Sequence, residues 1–182
     1  MDIRGSNTEK NLKAAFAGES QARNMYTYFA DVAKKEGYGQ IAESFMEAAE
    51  NEKAHARKEL GFLAKMGDTK SNLKAAADGE HHEWTDMYPG FEQIAREEGF
   101  TEIADFFKRV AEIEEYHEKR FLVLLDNVER KKVFNKDKVV VWKCTDCGWI
   151  QREVEAPDEC PTCKYPQSGF EMLDEGIYRL QD

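Results

Sequence analysis

The chain repeats itself, and that repeat limits what it can fold into. Residues 11–19, NLKAAFAGE, match residues 72–80, NLKAAADGE, at seven of nine positions with an offset of 61. Residues 33–63 then match 95–125 at twelve of 31 positions with an offset of 62. Whatever one copy forms, the other forms as well. Between Ser6 and about Lys132 there is one proline and no cysteine, and residues such as Ile41, Phe45, Ala48, Ala49 and Glu52 recur at helical spacing. Breaks at Gly37-Tyr38-Gly39, Gly67-Asp68 and Gly99-Phe100-Thr101 divide this stretch into four helical segments, so the copies are two helical hairpins. Ser6 with Glu9 forms a capping-box start for the first helix. The change of offset means that one residue was gained between Glu80 and Met87-Tyr88, which a helix absorbs as a π-bulge or as a kink at Pro89.

The repeat carries metal-binding residue types in register: Glu19 with Glu80, Glu52 with Glu114, and His55 with His117. The last two pairs are Glu-x-x-His motifs, and positions i and i+3 share a helix face, so each motif aims a carboxylate and an imidazole at one point. One Glu from each of two helices plus Glu-x-x-His from each of the other two is the ligand pattern of ferritin-like di-metal carboxylate bundles. Glu83 adds a carboxylate on the Glu80 face where the first copy has Ala22, so the site is expected to be asymmetric. Five carboxylates in a bundle core are prohibitively unfavourable without compensation, which two metal ions supply. Glu50 and Glu112 also match across the repeat, but they lie on another face and read as surface charges. His81 and His82 flank the Glu80/Glu83 face and are expected to be structural.

After Phe134-Asn135-Lys136-Asp137 the texture changes to a strand-like run, Val139 to Trp142, and then to paired cysteines. Cys144 and Cys147, then Cys160 and Cys163, form two Cys-x-x-Cys knuckles, which suit a tetrahedral zinc or a single iron. A domain this small has too little core to fold unaided, so its metal is structural whatever else it does. Trp142 and Trp149 read as packing around the sulfurs. The expected domains are residues 1–134 and 135–182. With 26 basic and 36 acidic residues the net charge is -10, the wrong sign for general attraction to nucleic acid or to anionic lipid. No apolar run reaches the length of a membrane span, and the N-terminus lacks a signal-peptide core; the expected home is the cytoplasm, with neither membrane nor nucleic acid as partner.

Over essentially its whole length the chain resembles the rubrerythrin family, in AFAGESQARNMYTYF at 15–29, ENEKAHA at 50–56, GEHHEWTDMYPGF at 79–91, EIEEYHEKRF at 112–121, and the CTDCGW and CPTCKYP knuckles. The resemblance implies a mainly α fold, a ferritin-like four-helix bundle followed by a small rubredoxin-like β domain. It implies a non-haem iron peroxidase that reduces hydrogen peroxide to water, with electrons entering through an iron-tetracysteine centre from an external donor, rubredoxin or an NAD(P)H-dependent reductase. The di-iron ligands it implies are Glu19, Glu52, His55, Glu80, Glu83, Glu114 and His117. Glu52 and Glu114 would bridge the irons, and one iron would exchange His55 for Glu83 on oxidation. Tyr26 and Tyr88 would donate hydrogen bonds beside the carboxylates, and Glu83 would favour the ferric state.

Two other functions fit some of these residues. A ferritin-like ferroxidase with a structural zinc ribbon uses the same carboxylates, with zinc in place of iron at the cysteines, although a fused cysteine domain is hard to place in a sealed cage. A ribbon that recruits a protein or nucleic acid is disfavoured by the acidic charge. The connection between the second and third helices, Gly67 to Ser71, is far shorter than a bundle-length crossover, so the expected assembly is a domain-swapped homodimer.

Overall fold

In the computed structural model of the protein, residues 2–173 are described. Residues 174–182, the end of the expected second domain, lie outside the described residues. The chain separates into two compact units, Met1–Asp68 and Thr69–Asp182.

The first unit is a helical hairpin of α1 (Asn7–Lys35) and α2 (Gly39–Phe62). The Ser6 hydroxyl accepts from the Glu9 backbone N–H at 3.1 Å, while the Glu9 carboxylate reaches back to the Gly5 N–H at 2.6 Å. This is the expected capping box, shifted by one residue on its return bond. The buried residues of the hairpin are alanines, Ala30 and Ala33 on α1 and Ala42, Ala49 and Ala56 on α2, so the helix backbones approach closely. Larger apolar residues stay exposed, including Met25, Tyr28, Phe29 and Val32, whose spacing marks one continuous stripe along α1.

The second unit opens with α3 (Thr69–His82), which runs through a π turn (Glu83–Met87) into α4 (Tyr88–Glu97), and α5 (Thr101–Glu129) packs along all three. The π turn falls inside the window where the repeat gains its residue. Pro89 explains its position: proline donates no backbone hydrogen bond and its ring crowds the carbonyl four residues back, and the wider turn that ends at Tyr88 relieves both. The Tyr88 N–H bonds to the Glu83 carbonyl across that turn.

The connection between the hairpins differs from the sequence expectation. Helix α2 ends at Phe62, and α3 already begins at Thr69, so residues 63–68 form the link rather than Gly67 to Ser71. Ala64 takes the left-handed conformation that ends a helix, with φ 51°, and the Lys65 N–H returns to the Leu60 carbonyl at 3.2 Å. That termination comes from the backbone bonds of Leu63, Ala64 and Lys65, so the helix ends before it reaches the glycine.

Strands β1 (Asn135–Cys144), β2 (Ile150–Glu155) and β3 (Phe170–Met172) form an antiparallel sheet in the order β2-β1-β3. Its core holds Trp142, Cys144, Ala156, Cys160 and Phe170, with Trp149 and Phe134 packed against them. Two of the five core residues are cysteines, so an apolar interior alone does not sustain this part of the chain. Among the described residues, no helix is long and apolar enough to cross a membrane.

Candidate metal centres

Each hairpin brings three donors together without help from the rest of the chain. In the first, Glu19 of α1 meets Glu52 and His55 of α2; in the second, Glu80 of α3 meets Glu114 and His117 of α5, and each group has its ligand atoms within 4.8 Å of one another. The geometry repeats as the sequence does. His55 Nδ1 lies 2.9 Å from Glu52 Oε2 and 3.7 Å from Glu19 Oε1; His117 Nδ1 lies 2.6 Å from Glu114 Oε2 and 3.9 Å from Glu80 Oε1. Helical i, i+3 spacing sets the short distance in each group, and hairpin packing sets the long one.

Crowded carboxylates shift each other's protonation. Sharing a hydrogen bond with Glu52, and then burial, raises the Glu19 carboxyl above its ordinary value. Burial, then the charges of Glu114 and Glu83, raises that of Glu80. Anions held this close in a half-buried place want a cation, and a carboxylate-imidazole donor set fits iron, manganese or zinc.

Glu83, the first residue of the π turn, stays outside the tight group of three but near enough for its charge to act on Glu80. Burial and the charges of Glu83, Glu114 and Glu80 raise the Tyr88 phenol, so this ring stands among the second unit's carboxylates. Tyr26 has the matching place in the first hairpin, where it lines a groove of about 380 Å³ with Glu52, Phe45 and Ala48. His55 belongs to the first unit and Glu83 to the second. His81 lies with Glu118 and His82 with Asp86, and among the described residues neither joins a ligand group. Glu50 is exposed beside Lys53, and Glu112 is exposed as well.

The four sulfurs form the second centre. Cys144 Sγ lies 3.7 Å from Cys163 Sγ and Cys147 Sγ 3.6 Å from Cys160 Sγ. A tetrahedron with metal-sulfur bonds of about 2.3 Å has edges of about 3.8 Å, so the cysteines are set for one tetrahedral ion. All four are free of disulfides. Burial works against the Cys160 thiolate, but backbone N–H groups of Cys163 and Thr162 outweigh it and bring the thiol down to about 7. Cys144 and Cys160 are buried while Cys147 is exposed, so one edge of the centre faces solvent.

Paired helical hairpins with carboxylate-histidine donors, joined to a tetracysteine sheet, define a di-metal carboxylate protein of the ferritin-like type with a rubredoxin-like module. The model of the rubrerythrin family matches residues 10–125, and that of the rubrerythrin rubredoxin-like domain matches residues 142–171. Rubrerythrin-1 of Clostridium acetobutylicum is 48% identical over 95% of this chain and 97% of its own length. Rubrerythrin of Porphyromonas gingivalis is 50% identical over 94% and 92%, and rubrerythrin of Nitratidesulfovibrio vulgaris 46% over 94% and 96%. The chain belongs to the rubrerythrin family. Its class is therefore that of oxidoreductases with a di-iron carboxylate site and an iron-tetracysteine site, and it carries donor sets for both.

Proposed function

We propose that this protein is a peroxidase of oxidative-stress defence in the cytoplasm, converting hydrogen peroxide, two protons and two electrons into two water molecules. The observation that carries this reading is the presence in one chain of paired carboxylate-histidine groups and a tetrathiolate centre with a solvent-facing edge. Bound at the carboxylates, a pair of ferrous ions supplies the two electrons together. The chain's own residues hold and orient that pair. Glu19, Glu52 and His55 would hold it together with Glu80, Glu114 and His117, with Glu52 and Glu114 as the carboxylates that would be shared. Glu83 adds an anion that favours the oxidised state, and Tyr26 and Tyr88 donate hydrogen bonds to the carboxylates. Cys144, Cys147, Cys160 and Cys163 would hold an iron, which would supply one-electron transfer from a rubredoxin or an NAD(P)H-dependent reductase. Residues 1–134 and 135–182 then divide the labour as catalytic and electron-entry domains.

The active form in this reading is a domain-swapped homodimer. A ferritin-like bundle sets its second and third helices parallel, so the chain must climb back from the end of α2 to the start of α3. Helix rise from His55 to Phe62 and from Thr69 to Glu80 makes that return about 27 Å. The link of residues 63–68 reaches at most roughly 25 Å fully extended, and its first residues are bound back onto α2. A second copy supplies the missing hairpin without any such climb, and it covers the exposed apolar stripes.

Cys147→Ser tests the function, because Cys147 is exposed and its loss disturbs the core least. Turnover driven by an external donor should stop, while chemically prereduced protein still consumes one peroxide per di-iron site. Prereduced wild-type protein that leaves peroxide untouched would overturn the proposal.

A further inference from the structure

The second hairpin contains a link that the first lacks. Trp84 Nε1 donates to Glu118 Oε2 at 2.6 Å, and His81 Nδ1 lies 3.0 Å from Glu118 Oε1. The His81 and Trp84 rings meet edge to face, with centroids 5.6 Å apart, and the Glu118 side chain is only 16% exposed. One carboxylate on α5 therefore grips the chain on both sides of the place where α3 becomes a π turn, since His81 lies in the last turn of α3 and Trp84 is the second residue of the π turn.

The repeat serves as an internal control. At the positions of His81, Trp84 and Glu118 the first hairpin has Ser20, Arg23 and Ala56. The Ser20 hydroxyl donates to its own helix, at the Phe16 carbonyl, and Ala56 is a buried contact. The first hairpin nevertheless brings Glu19, Glu52 and His55 together as closely as the second brings their counterparts. Ligands common to both hairpins thus need no such grip. Two features are confined to the second hairpin, the π turn and the carboxylate that opens it, Glu83.

We infer that Glu118, held by His81 and Trp84, is a positioning residue that locks the π turn and so fixes where Glu83 presents its carboxylate. This rests on the reading of Glu83 as a carboxylate of the di-iron site. A π turn leaves its helix free to shift by one residue, and such a shift rotates Glu83 by about 100° around the helix axis. Two hydrogen bonds to a carboxylate on the neighbouring helix oppose that slip. The backbone bonds of α3 alone suffice for Glu80, which precedes the turn.

A double-mutant cycle tests the inference, read by iron content, by the visible absorption of the ferric site and by peroxide turnover. Glu118→Ala should keep two irons per site, shift the ferric absorption as Glu83→Ala does, and slow turnover about tenfold to hundredfold, the usual effect of removing a group that orients a ligand. In the Glu83→Ala background it should change neither spectrum nor rate further. Trp84→Phe removes one donor without disturbing the fold, and it should move both readouts the same way by a smaller step. Undiminished effects of Glu118→Ala or Trp84→Phe in the Glu83→Ala background, or an unchanged spectrum in all single variants, would overturn the inference. The absorption comparison needs no peroxide chemistry, so a protein inert to peroxide refutes the proposed function and leaves this test standing.

Discussion

Two knuckles of one shape hold the sulfurs, and they differ in the residue that follows the second cysteine. Gly148 and Lys164 both take the left-handed conformation, with φ 79° and 63°, and their N–H groups bond to the carbonyls of Cys144 and Cys160 at 2.9 Å. A side chain there costs about 1–2 kcal/mol, which Lys164 bears and Gly148 avoids. Gly169 answers a different need, since a Cβ on it would lie 2.0 Å from Cδ1 of Tyr165. No carbon pair tolerates that distance, so the Tyr165 ring or the backbone must move. Gly169→Ala is therefore expected to lower the thermal unfolding temperature of the iron-loaded protein by more than Gly148→Ala does. Equal or reversed losses would show that the Tyr165 ring swings away freely. At this scale the sequence was informative where partners are near neighbours: Glu-x-x-His and Cys-x-x-Cys are local spacings, and the structure brings each set together. The grip of Glu118 on His81 and Trp84 joins residues 37 and 34 positions apart, and the spacing of Gly169 from Tyr165 depends on a ring's direction. Neither leaves a pattern in the chain.

Among the elements, the π turn was legible only because the chain contains its own reference copy. A one-residue change of offset has no meaning in a single helix, whereas between matched hairpins it marks where a residue was inserted and how the helix must adjust. The same comparison predicts how to remove it. Deleting Asp86 restores the spacing of Glu19 to Tyr26 for Glu80 to Tyr88, so the third helix can run as regularly as α1. Pro89 would then stand inside an ordinary helix at a cost of about 3 kcal/mol, so the deletion must be combined with Pro89→Thr, the residue at that position in the first copy. The double change should keep helicity by circular dichroism and keep iron bound, yet slow peroxide turnover as Glu83→Ala does. Full turnover would mean that the site does not use the π turn. The link between the hairpins was less legible. Glycine pointed to Gly67, but α2 ends earlier, where Ala64 accepts a left-handed conformation because the returning hydrogen bond of Lys65 holds it there. Intrinsic preference marked a weak place in the chain, and backbone bonding chose a different one.

At the scale of the whole molecule, the two hairpins present complementary needs. The first holds three of the seven expected ligands and the second four, and each exposes large apolar residues, Tyr28, Val32 and Ile41 in the first and Phe106, Ile113, Tyr116 and Val123 in the second. Helical residues of this size on one face call for another helical surface to cover them. The class of fold and the two kinds of centre could be read from the chain because repeats and spacings are linear features. Which hairpin meets which depends on a distance: the shortness of the connection is visible in the chain, but its length follows from the ends of α2 and α3 at Phe62 and Thr69. In a swapped dimer, the first hairpin of one chain completes a site with the second hairpin of its partner, so the two sites of the dimer draw on different halves. That arrangement is open to complementation. A chain with Glu52→Ala and His55→Ala has a dead first hairpin, and a chain with Glu114→Ala and His117→Ala has a dead second one. Each homodimer therefore lacks any intact site. Coexpressed with different affinity tags and purified through both, the mixed dimer should join the two unmutated hairpins into one working site and leave the other empty of ligands. It should bind half the di-iron content of the wild-type dimer and recover about half its peroxide turnover. If every site were built within one chain, each chain of the mixed dimer would carry one dead hairpin, and neither iron nor activity would return.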